Sequence, residues 1–500
     1  SSFEMLDTEL SRKSLFMCSR TCRGSLIFIV IVLPYTRSLD EINDMGDESC
    51  LLQSQSYTQR ARISNAKQSL KVGESQSGRQ YYRQTLHNFF DVQYAADFVV
   101  GNQTLKGVLD TGSYEVLVFS KTCTSCGLSA VFEEFHDDQY SRGKWISSHL
   151  FGSGSAMSRL AKDSMSFGPL IAENQYFWEV FEANMPVIEA GHFNAIVGTG
   201  PQYTAIMEAE EQAKYSNGML AKFAENGTKV PTDLAIAANE AQAFVDDMSN
   251  EMTLMKNLGC SVFSVCLGQA PNSPGWFIWN DAEPSASTKA FVSVPVTARR
   301  NWGAQITNVL LGDSPIGCEM GCGAIFDSGT SLIAAPPKIY QRVLSEFQAM
   351  NNDCSKIDQL PSLTFEVNNQ RFVLPPHTYV GEVVGSVTER MRSFFPNHRS
   401  HSTCRLLLMQ MGTESQMGPM WIMGMPFFRQ YYTTFRRSKL RSDRRMYFAH
   451  AGGNCTVDAS MHYHEHNVSS ISSWLRKIDI SKVNIPRWLE NMALKSYHVV

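Results

Sequence analysis

The chain has 500 residues, 43% of them hydrophobic and 18% charged, with a formal net charge of −4. This is globular composition, too long for one ordinary core, so two or three domains are expected. Near-neutral charge argues against a nucleic-acid partner, which usually leaves a concentrated basic face.

In chain order, residues 1–37 read as a targeting segment. Arg20 and Arg23 precede the uncharged apolar run 25–33, and small and polar residues follow from Pro34 to Ser38. That run is far shorter than the roughly 20 residues a membrane span needs, and the order is that of a secretory signal. Met17 is the expected start of translation, with residues 1–16 as upstream readthrough; the alternative is a short, uncleaved signal anchor. No later segment is long and apolar enough to form a transmembrane anchor. Residues 38–80 are rich in Ser and Gln. Acids cluster over 40–48, and Arg60, Arg62, Lys67 and Lys71 follow with no acid among them. Either this is a flexible linker or it is a propeptide whose basic residues cover an acidic cleft until acidification releases them.

From about Tyr82 the chain turns to short strand-like runs separated by glycine turns, at 97–101, 106–109, 116–119, 163–167 and 176–181. A second series starts at Val262 and continues at 293–296, 306–311, 363–367, 371–374 and 446–449. Many brief strands indicate an all-β architecture. Between the two series, 205–258 is rich in Ala, Glu and Met at helical spacing, which predicts two or three inserted helices. Short amphipathic helices are expected in the tail at 473–478 and 485–490. The expected division is therefore a signal segment 1–37, a propeptide 38–80, a first lobe 81–258 that includes the insertion 205–258, a second lobe 259–455, and a C-terminal extension 456–500.

Nine of the twelve cysteines lie beyond residue 80, an odd number, so one is unpaired or bonds elsewhere. In a secreted chain they point to disulfides. The pairing of Cys260, Cys266 and Cys455 stays open at this level. Asn102, Asn226, Asn454 and Asn467 begin glycosylation acceptor patterns. Cys123-Thr-Ser-Cys126 is expected to close a local disulfide; zinc would need a second ligand pair, and a redox motif would need a βαβ context. His462, His464 and His466 alternate on the polar tail, as a solvated loop or, if extended, a metal ligand set. The cluster Arg436, Arg437, Lys439, Arg441, Arg444 and Arg445 reads as an exposed hairpin, or as an attachment point for an acidic partner or an anionic membrane.

The most informative residues are two short motifs. Gly107-Val-Leu-Asp110-Thr111-Gly112-Ser113 and Ala324-Ile325-Phe-Asp327-Ser328-Gly329-Thr330-Ser331 each set an Asp-[Ser/Thr]-Gly turn after an apolar run. One such turn is an ordinary loop signal. Two with the same prelude would bring two costly buried carboxylates to a pseudo-twofold axis, where they can share one proton. With Trp421-Ile-Met-Gly-Met-Pro-Phe-Phe-Arg-Gln-Tyr-Tyr-Thr-Thr-Phe435, these motifs make the chain from about Tyr82 to Cys455 resemble the pepsin family of aspartic peptidases, including cathepsin D and the plasmepsins. Phe193-Asn-Ala-Ile196-Val-Gly198 and Ile422-Met-Gly424 resemble the hydrophobic-Gly segments that pass beneath that family's aspartate loops.

The resemblance implies a bilobal, pepsin-like double β-barrel with an inserted helical segment and a C-terminal extension. It implies that Asp110 and Asp327 are the catalytic pair of an endopeptidase cleaving between bulky apolar residues. Gly112 and Gly329 would allow close approach of the loops, Ser113 and Thr330 would orient the carboxylates, and Thr111 and Ser328 would cross-link the loops. It also implies disulfides Cys318–Cys322 and Cys354–Cys404. No cofactor or metal is needed, the substrates are polypeptides, and the expected form is a monomer made as a zymogen in the secretory pathway, secreted or in an acidic, lysosome-like vesicle. The flap departs from the family pattern: Phe151-Gly152-Ser153-Gly154-Ser155 stands where a Tyr leads, and Leu117 stands where its Trp partner is expected. A Phe over a Leu packs without stranding a hydroxyl. Gly152 and Ser153 could offer backbone groups to an extended peptide. Val108, Phe151, Phe193 and Ile196 are candidates for the S1 wall, with Ile325 opposite. Two other readings remain at this level: a catalytically silent peptide-binding relative, and a wall or surface structural protein.

Overall fold

A computed structural model describes residues 73–74, 80–134, 139–151, 154–189, 192–201, 204–249, 253–285, 288–387, 392–395, 404–458, 475–485 and 497–499. The apolar leader, nearly all of 38–80, Gly152, Ser153, Asn467, the three tail histidines and most of the second expected tail helix lie outside these residues.

The chain is mostly β, as its many brief strand-like runs predict. Every strand-like run of the sequence falls on a strand, with ends differing by a few residues. The largest sheet begins at Val292–Pro295 and passes through Arg445–His450, Tyr431–Arg436, Val262–Leu267, Gly275–Trp279 and Gln80–Phe89. It then continues through Gln93–Val100, Gln103–Asp110, Ala195–Gly198, Val116–Phe119 and the long strands Leu170–Asn184, Gly154–Phe167 and Ser141–Phe151. A second sheet has Gln370–Leu374 at one end and runs through Leu363–Val367, Gly303–Leu311, Cys322–Phe326, Gly418–Met423 and Ile333–Ala335 to Leu408–Gln410.

The two halves repeat one device. In the first, Gln103–Asp110 lies parallel to Ala195–Gly198 with Asp110 opposite Gly198, and Val116–Phe119 pairs antiparallel to the same strand. In the second, Cys322–Phe326 lies parallel to Gly418–Met423, and Ile333–Ala335 is its antiparallel neighbour. All of Val116–Phe119, Ala195–Gly198 and Cys322–Phe326 are buried. They read as unbroken apolar runs because both faces are covered. Each aspartate turn thus leaves the end of a central strand, and burial on both faces leaves it little room to move.

The predicted insertion forms helices Thr204–Glu225, Thr232–Met248 and Leu254–Asn257. Phe244 of the second helix meets Trp145 edge-on at 5.3 Å and stacks on Trp178 at 6.2 Å, while Asp247 accepts from the Trp145 indole at 2.8 Å. Glu211 of the first helix is ion-paired with both Arg299 and Arg300. The second helix of the insertion therefore packs on the first half of the chain.

Two expectations are corrected. The first tail helix is not formed where it is described: Lys477–Asp479 is a strand, parallel to Val380–Val384. The local amphipathic pattern lost because an open sheet edge offered a full set of backbone partners. Nor is the arginine cluster uniformly exposed. Arg437 and Arg444 are buried and donate to the carbonyls of Cys260 at 2.6 Å and Ser438 at 3.0 Å, so these two buried charges serve the backbone. Disulfides join Cys123 to Cys126, Cys318 to Cys322, Cys354 to Cys404 and Cys266 to Cys455. The ninth cysteine, Cys260, is buried outside these bridges, and its thiol lies 3.4 Å from the Val262 carbonyl. Among the described residues no helix is long and apolar enough to cross a membrane.

Candidate active site

The two aspartate turns meet, and their hydrogen bonds are nearly interchangeable. Gly112 N–H donates to Asp110 Oδ1 at 2.9 Å and Ser113 Oγ donates to Asp110 Oδ2 at 2.5 Å. On the other side Gly329 N–H donates to Asp327 Oδ1 at 2.8 Å and Thr330 Oγ1 donates to Asp327 Oδ2 at 2.6 Å. Each carboxylate therefore has both oxygens held and its plane set. A Cβ added to Gly112 would overlap the Asp327 carboxylate, and one added to Gly329 would overlap that of Asp110. Only glycine permits this approach.

Four further bonds lock the turns together. Thr111 Oγ1 donates to the Phe326 carbonyl at 2.8 Å and accepts from Ser328 N–H at 2.9 Å. Ser328 Oγ donates to the Leu109 carbonyl at 2.7 Å and accepts from Thr111 N–H at 3.1 Å. Ser328 supplies the same bonds as Thr111, so its lack of a methyl does not interrupt the exchange.

Asp327 is fully buried, and Asp110 is 8% exposed. Burial, then the negative charge of Asp110 and the hydrogen bond between the two carboxyls, push the Asp327 carboxyl well above the usual carboxylate range; Thr330 and Gly329 pull the other way and do not offset it. Two carboxyl groups placed this way can share one proton. Chemically the pair can give a proton and accept one at the same place. Among the described residues no group of three or more His, Cys, Asp or Glu side chains is set to hold a metal ion.

Val108, Phe151, Phe193 and Ile196 share one buried apolar cluster, while Ile325 belongs to a different one, built mostly from the second half. Phe151 ends the strand Ser141–Phe151 and pairs with Gly154 across the hairpin tip. Leu117 lies in the same cluster as Phe151, so the Tyr-to-Phe and Trp-to-Leu departures leave an apolar joint.

A polar network beneath this hairpin escapes a reading of the sequence. Glu115, two residues beyond Ser113, accepts from the Trp178 indole at 2.9 Å, and its other oxygen is 3.3 Å from Nδ1 of His149. His149 Nε2 is 2.6 Å from Ser158 Oγ on the facing strand of the hairpin. Trp178 stands beside Leu117 on the neighbouring strand and returns an indole to the region by a different route. The only local signal is Glu115 itself, a carboxylate opening an apolar run. Glu115→Ala would leave the buried indole N–H without this acceptor; it is expected to lower stability by roughly 1–3 kcal/mol, measured by chemical denaturation.

A sequence model described as "Eukaryotic aspartyl protease" matches residues 93–226 and 233–449. Pepsin A of Gallus gallus is 26% identical over 360 residues, covering 70% of this chain and 83% of that protein. Cathepsin D of Clupea harengus is 26% identical over 374 residues, covering 72% and 82%. A probable vacuolar protease A of Trichophyton verrucosum is 26% identical over 379 residues, covering 73% and 80%.

Proposed function

Because the chain belongs to the eukaryotic aspartyl proteases and is an aspartic endopeptidase, we propose that Asp110 and Asp327 are its catalytic pair and that it cleaves polypeptides between bulky apolar residues. The observation that carries this reading is the buried Asp327 carboxyl facing Asp110, each gripped by one glycine N–H and one hydroxyl.

The chemistry follows from one shared proton. Two carboxyl groups this close cannot both ionise, a property of aspartic peptidases as a class. Asp110, the more exposed member, takes a proton from water as that water attacks the scissile carbonyl carbon. Asp327 gives its proton to the carbonyl oxygen, forming a tetrahedral diol. Asp110 then passes its proton to the amide nitrogen, Asp327 takes one back from a diol hydroxyl, and the C–N bond breaks. The pair ends as it began, and no acyl-enzyme forms. Ser113 and Thr330 keep the carboxyl planes fixed through both proton transfers. Val108, Phe151, Phe193 and Ile196 favour an apolar side chain on one side of the cut bond, with Ile325 across from them; Gly152 and Ser153 are the proposed backbone partners at the flap.

The remaining parts are proposed on the same basis. Residues 1–37 direct the chain to the secretory pathway, 38–80 keep it a zymogen, 81–258 and 259–455 form the lobes, and the mature enzyme acts as a monomer outside the cell or in an acidic vesicle. Asn102, Asn226 and Asn454 are exposed, as glycosylation requires. A silent peptide-binding relative is disfavoured, because such a protein has no need to keep both carboxyl groups and both hydroxyls of the grip.

A quenched peptide library rich in Phe and Leu, assayed from acid to neutral pH with and without pepstatin, tests the reading. Pepstatin-sensitive cleavage with a bell-shaped pH profile is expected, falling on the alkaline side as the shared proton is lost and on the acid side as the base is protonated. Cleavage that persists unchanged in Asp110→Ala protein would defeat it.

A further inference from the structure

Beyond residue 449, where the family match ends, the tail returns to the aspartate loops. Arg476 is buried 3.6 Å from Asp91, and its carbonyl accepts from Glu382 N–H at 2.8 Å. After the strand Lys477–Asp479 and the single turn Ile480–Lys482, the backbone is extended at Val483. From there the chain bonds to both halves of the protein. The Lys482 carbonyl accepts from Gln93 Nε2 at 2.9 Å. Asn484 N–H donates to Ser331 Oγ at 2.7 Å, and the Asn484 carbonyl accepts from Ser331 N–H at 3.1 Å. The Asn484 side-chain amide donates to the Gly329 carbonyl at 2.7 Å. Val483 and Ile485 on either side are fully buried, in the cluster that holds Val92, Ile325 and Leu332.

One residue giving both its N–H and its C=O to a single loop residue is how an extended peptide adds to a protein edge. Here that loop is the one carrying Asp327, and the groups engaged lie two and four residues beyond it. A peptide drawn across the Asp110–Asp327 pair has to pass this loop and meets the same groups, the Ser331 N–H and hydroxyl and the Gly329 carbonyl. Gln93 contacts the tail from the opposite half, so the segment lies where the halves meet and not on an outer surface.

We propose that Lys482–Ile485 occupies the peptide-binding track beside the aspartate pair, and that the tail is a tethered competitor of the substrate. The ligand class of the track is an extended polypeptide with two apolar side chains flanking an amide. The proposal rests on the reading of Asp110 and Asp327 as a peptidase pair. Tethering places the occupant at an effective concentration on the order of millimolar, so a few hydrogen bonds and two buried aliphatic side chains suffice to hold it. Access of substrate is then set by release of the tail.

Two full-length variants, matured identically to the native chain at acid pH, test this. Ile485→Asp places a charge in the apolar site and expels the tail; Asn484→Ala removes one bond and leaves the fold undisturbed. Both are expected to lower KM for a fluorogenic peptide with kcat unchanged, Ile485→Asp by about tenfold or more. A capped synthetic peptide of residues 480–485 is expected to inhibit Ile485→Asp competitively and to bind it in a calorimeter, with no binding to the native chain. A fall in kcat with KM unchanged in Asn484→Ala would assign the tail a bracing role and overturn the proposal, as would absence of peptide binding to Ile485→Asp. Failure of the peptidase reading looks different: no variant cleaves, yet the synthetic peptide still binds Ile485→Asp.

Discussion

Asp327→Asn protein is expected to fold and to lose about a thousandfold or more in kcat, since a positioned proton donor is worth on that order. The fold survives because an amide oxygen still accepts from Gly329 N–H and the amide nitrogen can donate to Thr330 Oγ1, which now turns to accept. The same variant should also change how stability depends on pH. In the native protein burial and Asp110 hold the Asp327 carboxyl well above its ordinary value. As pH rises from the ordinary carboxylate value to that raised value, the unfolded chain has released a proton that the folded chain retains. The unfolded state then binds fewer protons, so native stability declines with rising pH across that window. Asparagine has no proton to lose. Its denaturation midpoint should therefore fall less steeply than that of the native chain across the window. A variant with unchanged turnover would remove Asp327 from the chemistry; one with the native pH slope would show that the proton is held elsewhere.

The second large effect is expected at the cross-link between the turns. Ser328→Ala leaves the buried Leu109 carbonyl and Thr111 N–H without the hydroxyl they share. Each buried group left unpaired costs roughly 1–3 kcal/mol, so a loss of about 3 kcal/mol is expected. Thr111→Val should cost a similar amount, through the Phe326 carbonyl and Ser328 N–H. The double variant should lose less than the sum of the two, because each substitution disturbs the same pair of loops. Chemical denaturation of the single and double variants supplies the cycle. Turnover should fall in each alongside stability, since the separation of the carboxyl groups depends on these bonds; Ser328→Thr, which keeps the hydroxyl, should retain both. Strict additivity would show that the two turns are held independently.

Much of the site can be read without coordinates because its parts are local. An Asp-[Ser/Thr]-Gly turn, the apolar strand before it and the hydroxyl after it lie within a few residues, and each is constrained by rules that act over a few residues. Helix periodicity over 205–258 is informative for the same reason, as are the brief strand-like runs between glycine turns that mark the strands. Hydropathy misjudges the basic cluster because it counts charge and not backbone demand: Arg437 and Arg444 are buried where carbonyls need donors.

The amino-acid sequence by itself determined that two carboxylates follow two buried strands, with glycines where they approach and hydroxyls where they are held. Tertiary structure alone decided that Cys266 meets Cys455, that Glu115 joins His149 and Trp178 beneath the hairpin, and that Asn484 comes to rest on Gly329 and Ser331. These contacts join segments far apart in the chain. No local propensity specifies them; they form because a buried polar group or open strand edge must find a partner, and the folded chain decides which partner is within reach.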